Sequence, residues 1–181
     1  PAGPELAVAV VTLVEGGHFP VGTAPADIGW KALAVNLSDL AAMGATPAWA
    51  LLALTLPELP AEAQAARVDG LADGFAQLAQ AHGVALVGGD TTRGPFALSV
   101  AVHGFVPPGQ ALRRDGARVG DLVFVTGTLG DAAAGLQRLS PSVDPDEEKR
   151  RAFLRARLNR PQPRVAAGLS LRGRASACID V

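Results

Sequence analysis

Across the first 106 residues, short runs rich in Val, Leu and Ala, bounded by glycine and proline, alternate with two long segments whose apolar residues recur at helical spacing. Few folds satisfy that order, because each strand needs a sheet and each amphipathic helix needs a sheet face to cover. Glu5 to Val14 reads as a strand between Gly3-Pro4 and Gly16-Gly17. A helix follows, opened by Pro25-Ala26-Asp27 and closed by Gly44 and Pro47, with Ile28, Leu33, Leu37 and Leu40 on one side. Trp49 to Leu56 reads as a strand, and Pro60 to His82 as a helix ended by Gly83, with Val68, Leu71, Phe75 and Leu78 as its apolar side. Val84 to Val87 is a strand running into Gly88-Gly89-Asp90, and Phe96 to Val106 is another, stopped by Pro107-Pro108-Gly109. The predicted order is β-α-β-α-β-β, an α/β (α+β) domain.

Turn residues and Arg113, Arg114 and Arg118 then interrupt the apolar runs, which places a domain boundary between Pro107 and Gly120 and divides the chain into 1–112 and 113–181. In the second part, Leu122 to Val125 reads as a strand leading through Thr126-Gly127-Thr128-Leu129-Gly130 to a helix from Asp131. Asp146 to Leu158 and Val165 to Leu171 read as helices, joined by a stiff Arg160-Pro161-Gln162-Pro163-Arg164 connector, and Ser176 to Ile179 as a final strand. A chain of 181 residues exceeds one common domain, and opening on Pro1 points to cut ends. An incomplete second domain is expected to expose apolar surface after about Gly120.

Composition narrows function. A net charge of -1 without a basic stripe gives no footprint for nucleic acid or an anionic membrane, so any phosphate must be met locally. The apolar run Leu6–Val14 is too short to span a bilayer. One cysteine, Cys178, excludes an internal disulfide and suits a reducing cytoplasm. Neither a nucleophile elbow nor a lysine-bearing P-loop is present, since no lysine follows the Thr126–Gly130 glycines. That segment reads as an anion site at a helix start or as a tight turn with Asp131 near the cap.

Scattered carboxylates, glycines and arginines are the materials of phosphoryl transfer by positioning and charge neutralisation. In Leu86-Val-Gly-Gly-Asp-Thr-Thr-Arg-Gly94 a strand delivers Asp90 beside glycines that admit a phosphate chain; Asp90 would hold Mg²⁺, or the segment is a glycine turn capped by Asp. Asn36 and Asp39, three residues apart in an apolar helix, either face a metal or form a half-exposed stripe with Lys31 pairing back to Asp27. His18 lies on the glycine loop Val14-Glu-Gly-Gly-His-Phe19, as a ligand group or an ordinary loop histidine. His82 is read as a helix-end residue, His103 as structural, and Trp30 and Trp49 as core or interface aromatics.

Taken together, Lys31-Ala-Leu-Ala-Val-Asn-Leu-Ser-Asp-Leu-Ala-Ala-Met-Gly-Ala45, Leu86–Gly94 and Val125-Thr-Gly-Thr-Leu-Gly-Asp131 resemble the thiamine-monophosphate kinase family, part of the superfamily of aminoimidazole ribonucleotide synthetase and selenophosphate synthetase. The resemblance implies transfer of the ATP γ-phosphoryl group to thiamine monophosphate, giving thiamine diphosphate, with several Mg²⁺ ions and no covalent enzyme intermediate. It implies ATP contacts at Gly89, Asp90 and Arg114, a substrate contact at His18, and metal ligands at Asp39, Asp90 and Asp180. It further implies a homodimer whose N-terminal sheets join. One departure stands out: the family's first strand ends in Thr-Asp before Thr-Leu-Val, where this chain has Val10 and Val11. Valine cannot coordinate Mg²⁺, so one alternative is a catalytically dead nucleotide-binding or dimerisation module; a separate alternative, against which His18 argues, is a superfamily enzyme acting on another acceptor.

Overall fold

The computed structural model describes residues 3–181; Pro1 and Ala2, where the first expected domain opens, lie outside the described residues. Nine elements follow in order: β1 (Glu5–Val14), α1 (Pro25–Ala42), β2 (Thr46–Leu56), α2 (Ala61–His82), β3 (Ala85–Arg93), β4 (Ala97–Val106), α3 (Asp131–Leu136), α4 (Pro145–Asn159) and α5 (Val165–Leu171). The fold is mixed α/β. Its four strands form one sheet in the order β1-β4-β2-β3, with β4 antiparallel to both neighbours and β2 parallel to β3 through the α2 crossover. β1 and β3 are therefore the edges.

Strand alternation decides which side is core. Ala7 and Leu13 of β1, with Leu98, Val100, Val102 and Val106 of β4, point at α1 and α2 and are buried. Leu6, Val8 and Val10 point the other way and are more than half exposed, so the second sheet face is bare and, along β1, largely apolar. On that face Trp49 stacks on His103 at 5.7 Å and meets Phe105 edge-on at 5.4 Å. Trp30 instead ties helices together, its indole N–H donating to the Pro161 carbonyl at 2.9 Å while the Arg160 guanidinium lies over its ring. α1 and α2 pack almost backbone to backbone: a Cβ on Gly74 would stand 1.8 Å from the Ala26 carbonyl oxygen. Of the residues expected on α2's apolar side, Leu71, Phe75 and Leu78 are buried, but Val68 is 37% exposed.

Several expected elements differ. The strand expected to stop at Val87 runs on to Arg93, so Gly88-Gly89-Asp90 is ladder and not a turn. The alignment to β2 supplies the hydrogen bonds, and a bulge between Ala50 and Leu51 absorbs one residue. Leu122–Val125 and Ser176–Ile179 are not strands. A strand exists only where a neighbour receives its backbone groups; the 176–179 segment makes one such bond, Cys178 N–H to the Arg113 carbonyl at 3.1 Å. Leu122, Val123 and Phe124 are at least 80% exposed. The C-terminal helices still dock: α3 packs on α4, and α5 lies against α1, where a Cβ on Gly168 would meet the Ala41 carbonyl at 2.0 Å. Among the described residues no helix is long and apolar enough to cross a membrane.

Candidate active site

Helix α1 carries the polar residues the sequence singled out, but it uses them unequally. Asn36 is wholly buried; its Nδ2 donates to the Ala32 carbonyl at 2.8 Å and its Oδ1 has no partner. Asp39, one turn later, opens into a cavity of about 670 Å³ beside the free edge of β1. Val8 and Val10 form one wall, Arg113 and Arg114 another, and Asp180 faces Asp39 from the C-terminal segment. Burial first, and then the Asp180 charge, push the Asp39 carboxyl above its ordinary range. Arg113 is committed to Asp115, donating from Nε at 2.9 Å and Nη2 at 2.7 Å and holding that carboxyl below the usual range. Cys178 lines the same cavity, and burial raises its thiol pKa, the opposite of what a nucleophile needs.

The cavity thus brings together Asp39, Arg114 and Asp180, and does not include Asp90, Gly89 or His18. Asp90 sits on the opposite edge strand, in a cross-strand row with Thr12, Ser99 and Ala53 on the bare sheet face. Gly89 beside it is held by packing: a Cβ there would stand 1.9 Å from the Leu52 carbonyl oxygen. Lys31 does not pair back to Asp27. Its Nζ donates to the His18 carbonyl at 2.8 Å, and Asp27 is taken by Arg160 from the end of α4. His18 and Asp39 therefore mark two stations along α1, since Lys31 and Asp39 are separated by about 12 Å of helix axis. Val11 packs against the hydrophobic core, on the same strand face as Ala9, which lines the cavity.

Among the described residues no group of three or more His, Cys, Asp or Glu side chains converges as a metal site. Asp39 and Asp180 nevertheless suit a hard cation, which takes one or two carboxylates and completes its shell with phosphate oxygens and water. The observation that fits is the Asp180 charge acting on Asp39: a cation between them would offset that share of the penalty, burial being the larger share. The sequence reading missed Arg113, Asp115 and Cys178 as cavity residues, and only the charged run 113–115 offered a signal. It also missed a smaller cavity of about 380 Å³, walled by Glu58, Gln64 and Thr91–Arg93.

Residues 1–106 match the family described as AIR synthase related protein, N-terminal domain. The chain belongs to that family. Its relatives within the AIR synthase group include the thiamine-monophosphate kinase of Salmonella typhimurium, 48% identical over 176 residues, which are 97% of this chain and 53% of that protein. The crystal structure of thiamine-monophosphate kinase from Stenotrophomonas maltophilia K279a superposes with a TM-score of 0.85 at 52% identity, covering 97% of this chain and 56% of that one. A solved complex described as AaThiL with AMPPCP and TMP gives 0.83 at 34% identity, over 96% of this chain and 55% of that one. The chain spans about half the length of the curated relatives it matches.

Proposed function

We propose that the full-length protein containing this chain transfers the γ-phosphoryl group of ATP to the phosphate of thiamine monophosphate, releasing ADP and thiamine diphosphate in the cytoplasm. The observation that carries this reading is the facing Asp39–Asp180 pair with Arg114 in one cavity of a chain 48% identical to thiamine-monophosphate kinases. Bound Mg²⁺ supplies neutralisation of charge on the transferred group; Asp39 and Asp180 would hold one ion at the cavity, and Asp90, on the far edge strand, would hold a separate ion by family resemblance. Arg114 binds nucleotide phosphate oxygens, Gly89 and Asp90 contact ATP, and His18 orients the acceptor phosphate. Two polyanions repel as they approach, so a site that binds and neutralises both does most of what the reaction needs. The division into domains at 112 and 113 belongs to the same proposal.

A homodimer through the bare sheet face is supported by the exposure of Leu6, Val8 and Val10 on an edge strand, a patch that water leaves unfavourable. A second reading, a nucleotide-binding or dimerisation module without turnover, is favoured by Val11, which lies partly buried against the core where the family motif has a carboxylate. One assay separates the two: phosphoryl transfer from ATP to thiamine monophosphate, with Mg²⁺, in the full-length protein and in its Val11→Asp variant. Product from the full-length protein is the expected result; product from the aspartate variant alone marks position 11 as a lost ligand, and product from neither leaves the module.

A further inference from the structure

The loop that carries His18 is fastened at its base and at its tip by different means. At the base, Gly16 N–H donates to the Phe19 carbonyl at 2.8 Å and His18 N–H to the Val14 carbonyl at 2.9 Å. Phe19 is buried edge-on against Phe96, with ring centres 5.4 Å apart. The imidazole is then oriented by the backbone: Val14 N–H donates to His18 Nδ1 at 3.1 Å. An atom that accepts cannot carry a proton, so the neutral ring keeps its single hydrogen on Nε2, leaving one donor on the exposed side.

The tip is fastened from α1. Lys31 Nζ donates to the His18 carbonyl at 2.8 Å across thirteen residues of sequence. Burial lowers the Lys31 pKa, so its ammonium has given up water. The acid one turn before it, Asp27, is occupied by Arg160. A partly desolvated cation donating to a main-chain carbonyl, with no carboxylate in the contact, makes a charge-assisted bond that fixes the peptide plane next to the ring.

We propose that Lys31 is a positioning residue: it clamps the His18 carbonyl so that the imidazole holds the Val14 N–H and presents Nε2–H to the acceptor phosphate. The inference rests on the reading of His18 as the acceptor's contact. The test uses the full-length protein and its Lys31→Met, Lys31→Arg and His18→Gln variants. Two readouts are taken: histidine-ring nitrogen NMR, and affinity for thiamine monophosphate and for ATP by titration calorimetry, which needs no turnover. Lys31→Met is expected to turn the His18 ring from a single Nε2–H tautomer into an exchanging mixture and to weaken thiamine monophosphate binding about 10-fold, leaving ATP within about twofold. Lys31→Arg, which keeps a charged donor, restores most of both. An unchanged ring in Lys31→Met overturns the clamp, and so does a changed ring with unchanged affinity where His18→Gln weakens binding. If His18→Gln leaves affinity untouched, the substrate reading of His18 falls, and the ring spectrum still decides the role of Lys31.

Discussion

Replacing Gly89 with alanine forces a side chain into the β2–β3 ladder. The added Cβ would lie 1.9 Å from the Leu52 carbonyl oxygen and 2.8 Å from its carbon, against a closest real approach of 3.0 Å. The strands must separate locally by about 1 Å, and because Gly89 is paired with Leu52 itself, the movement falls on the parallel ladder. Overpacking of this kind costs about 1–3 kcal/mol, and one or two broken ladder bonds add about 1 kcal/mol each. A total near 4 kcal/mol in a chain of this length lowers the melting temperature by about 8–16 °C. Gly83→Ala is the control: it has open space around its Cβ but a φ of +64°, so it loses only about 1 kcal/mol. Circular dichroism melts of the three proteins decide the matter. A Gly89→Ala protein melting within about 2 °C of the parent would refute the steric argument and return Gly89 to a purely ligand-facing role.

Asp39→Asn should stabilise the protein in the absence of divalent cations. The folded Asp39 carboxyl sits above its ordinary range through burial and the Asp180 charge, so the unfolded chain loses its proton first as pH rises. Folding stability therefore falls across that carboxylate window and stays lower above it. The asparagine variant should melt about 1–2 °C higher at pH 7, the size of a largely solvent-screened effect of about 0.5 kcal/mol, with the gap closing as pH falls through the window. A constant gap at all pH values would count against it. Arg160→Ala removes the contacts to Asp27, Gln77 and the Trp30 ring and should cost about 1–2 kcal/mol. Faster proteolytic cutting near residues 160–164 would show α4 loosening from α1, and unchanged cutting would argue that Trp30 and Pro161 suffice.

Where periodicity was strong the sequence was legible to within a few residues. β1, α1, α2, β4 and α5 fall where alternation, helical spacing and the Pro25 and Gly83 signals put them. Legibility failed where the outcome depended on a neighbour. Gly88-Gly89-Asp90 carries the composition of a turn and became ladder because β2 lies alongside it. Leu122–Val125 and Ser176–Ile179 carry the composition of strands and stayed irregular; the second is held by a single backbone bond from Cys178 to Arg113. Helical spacing allows Lys31 to pair back to Asp27, but Arg160, 133 residues from Asp27 in sequence, claims that carboxylate.

The same division runs through the candidate site. By itself the sequence determined the family and the residue types for phosphate and cation chemistry, because motifs such as Lys31–Ala45 are local strings that carry their own pattern. It also determined that position 11 is a valine, a fact of composition that no folding changes. Only the tertiary structure decided that Asp39 meets Asp180 and Arg114 in one cavity while Asp90 sits on the opposite edge of the sheet. Which charges meet depends on how strands and helices far apart in the chain are laid together, and distance in space is what burial and Coulomb repulsion respond to.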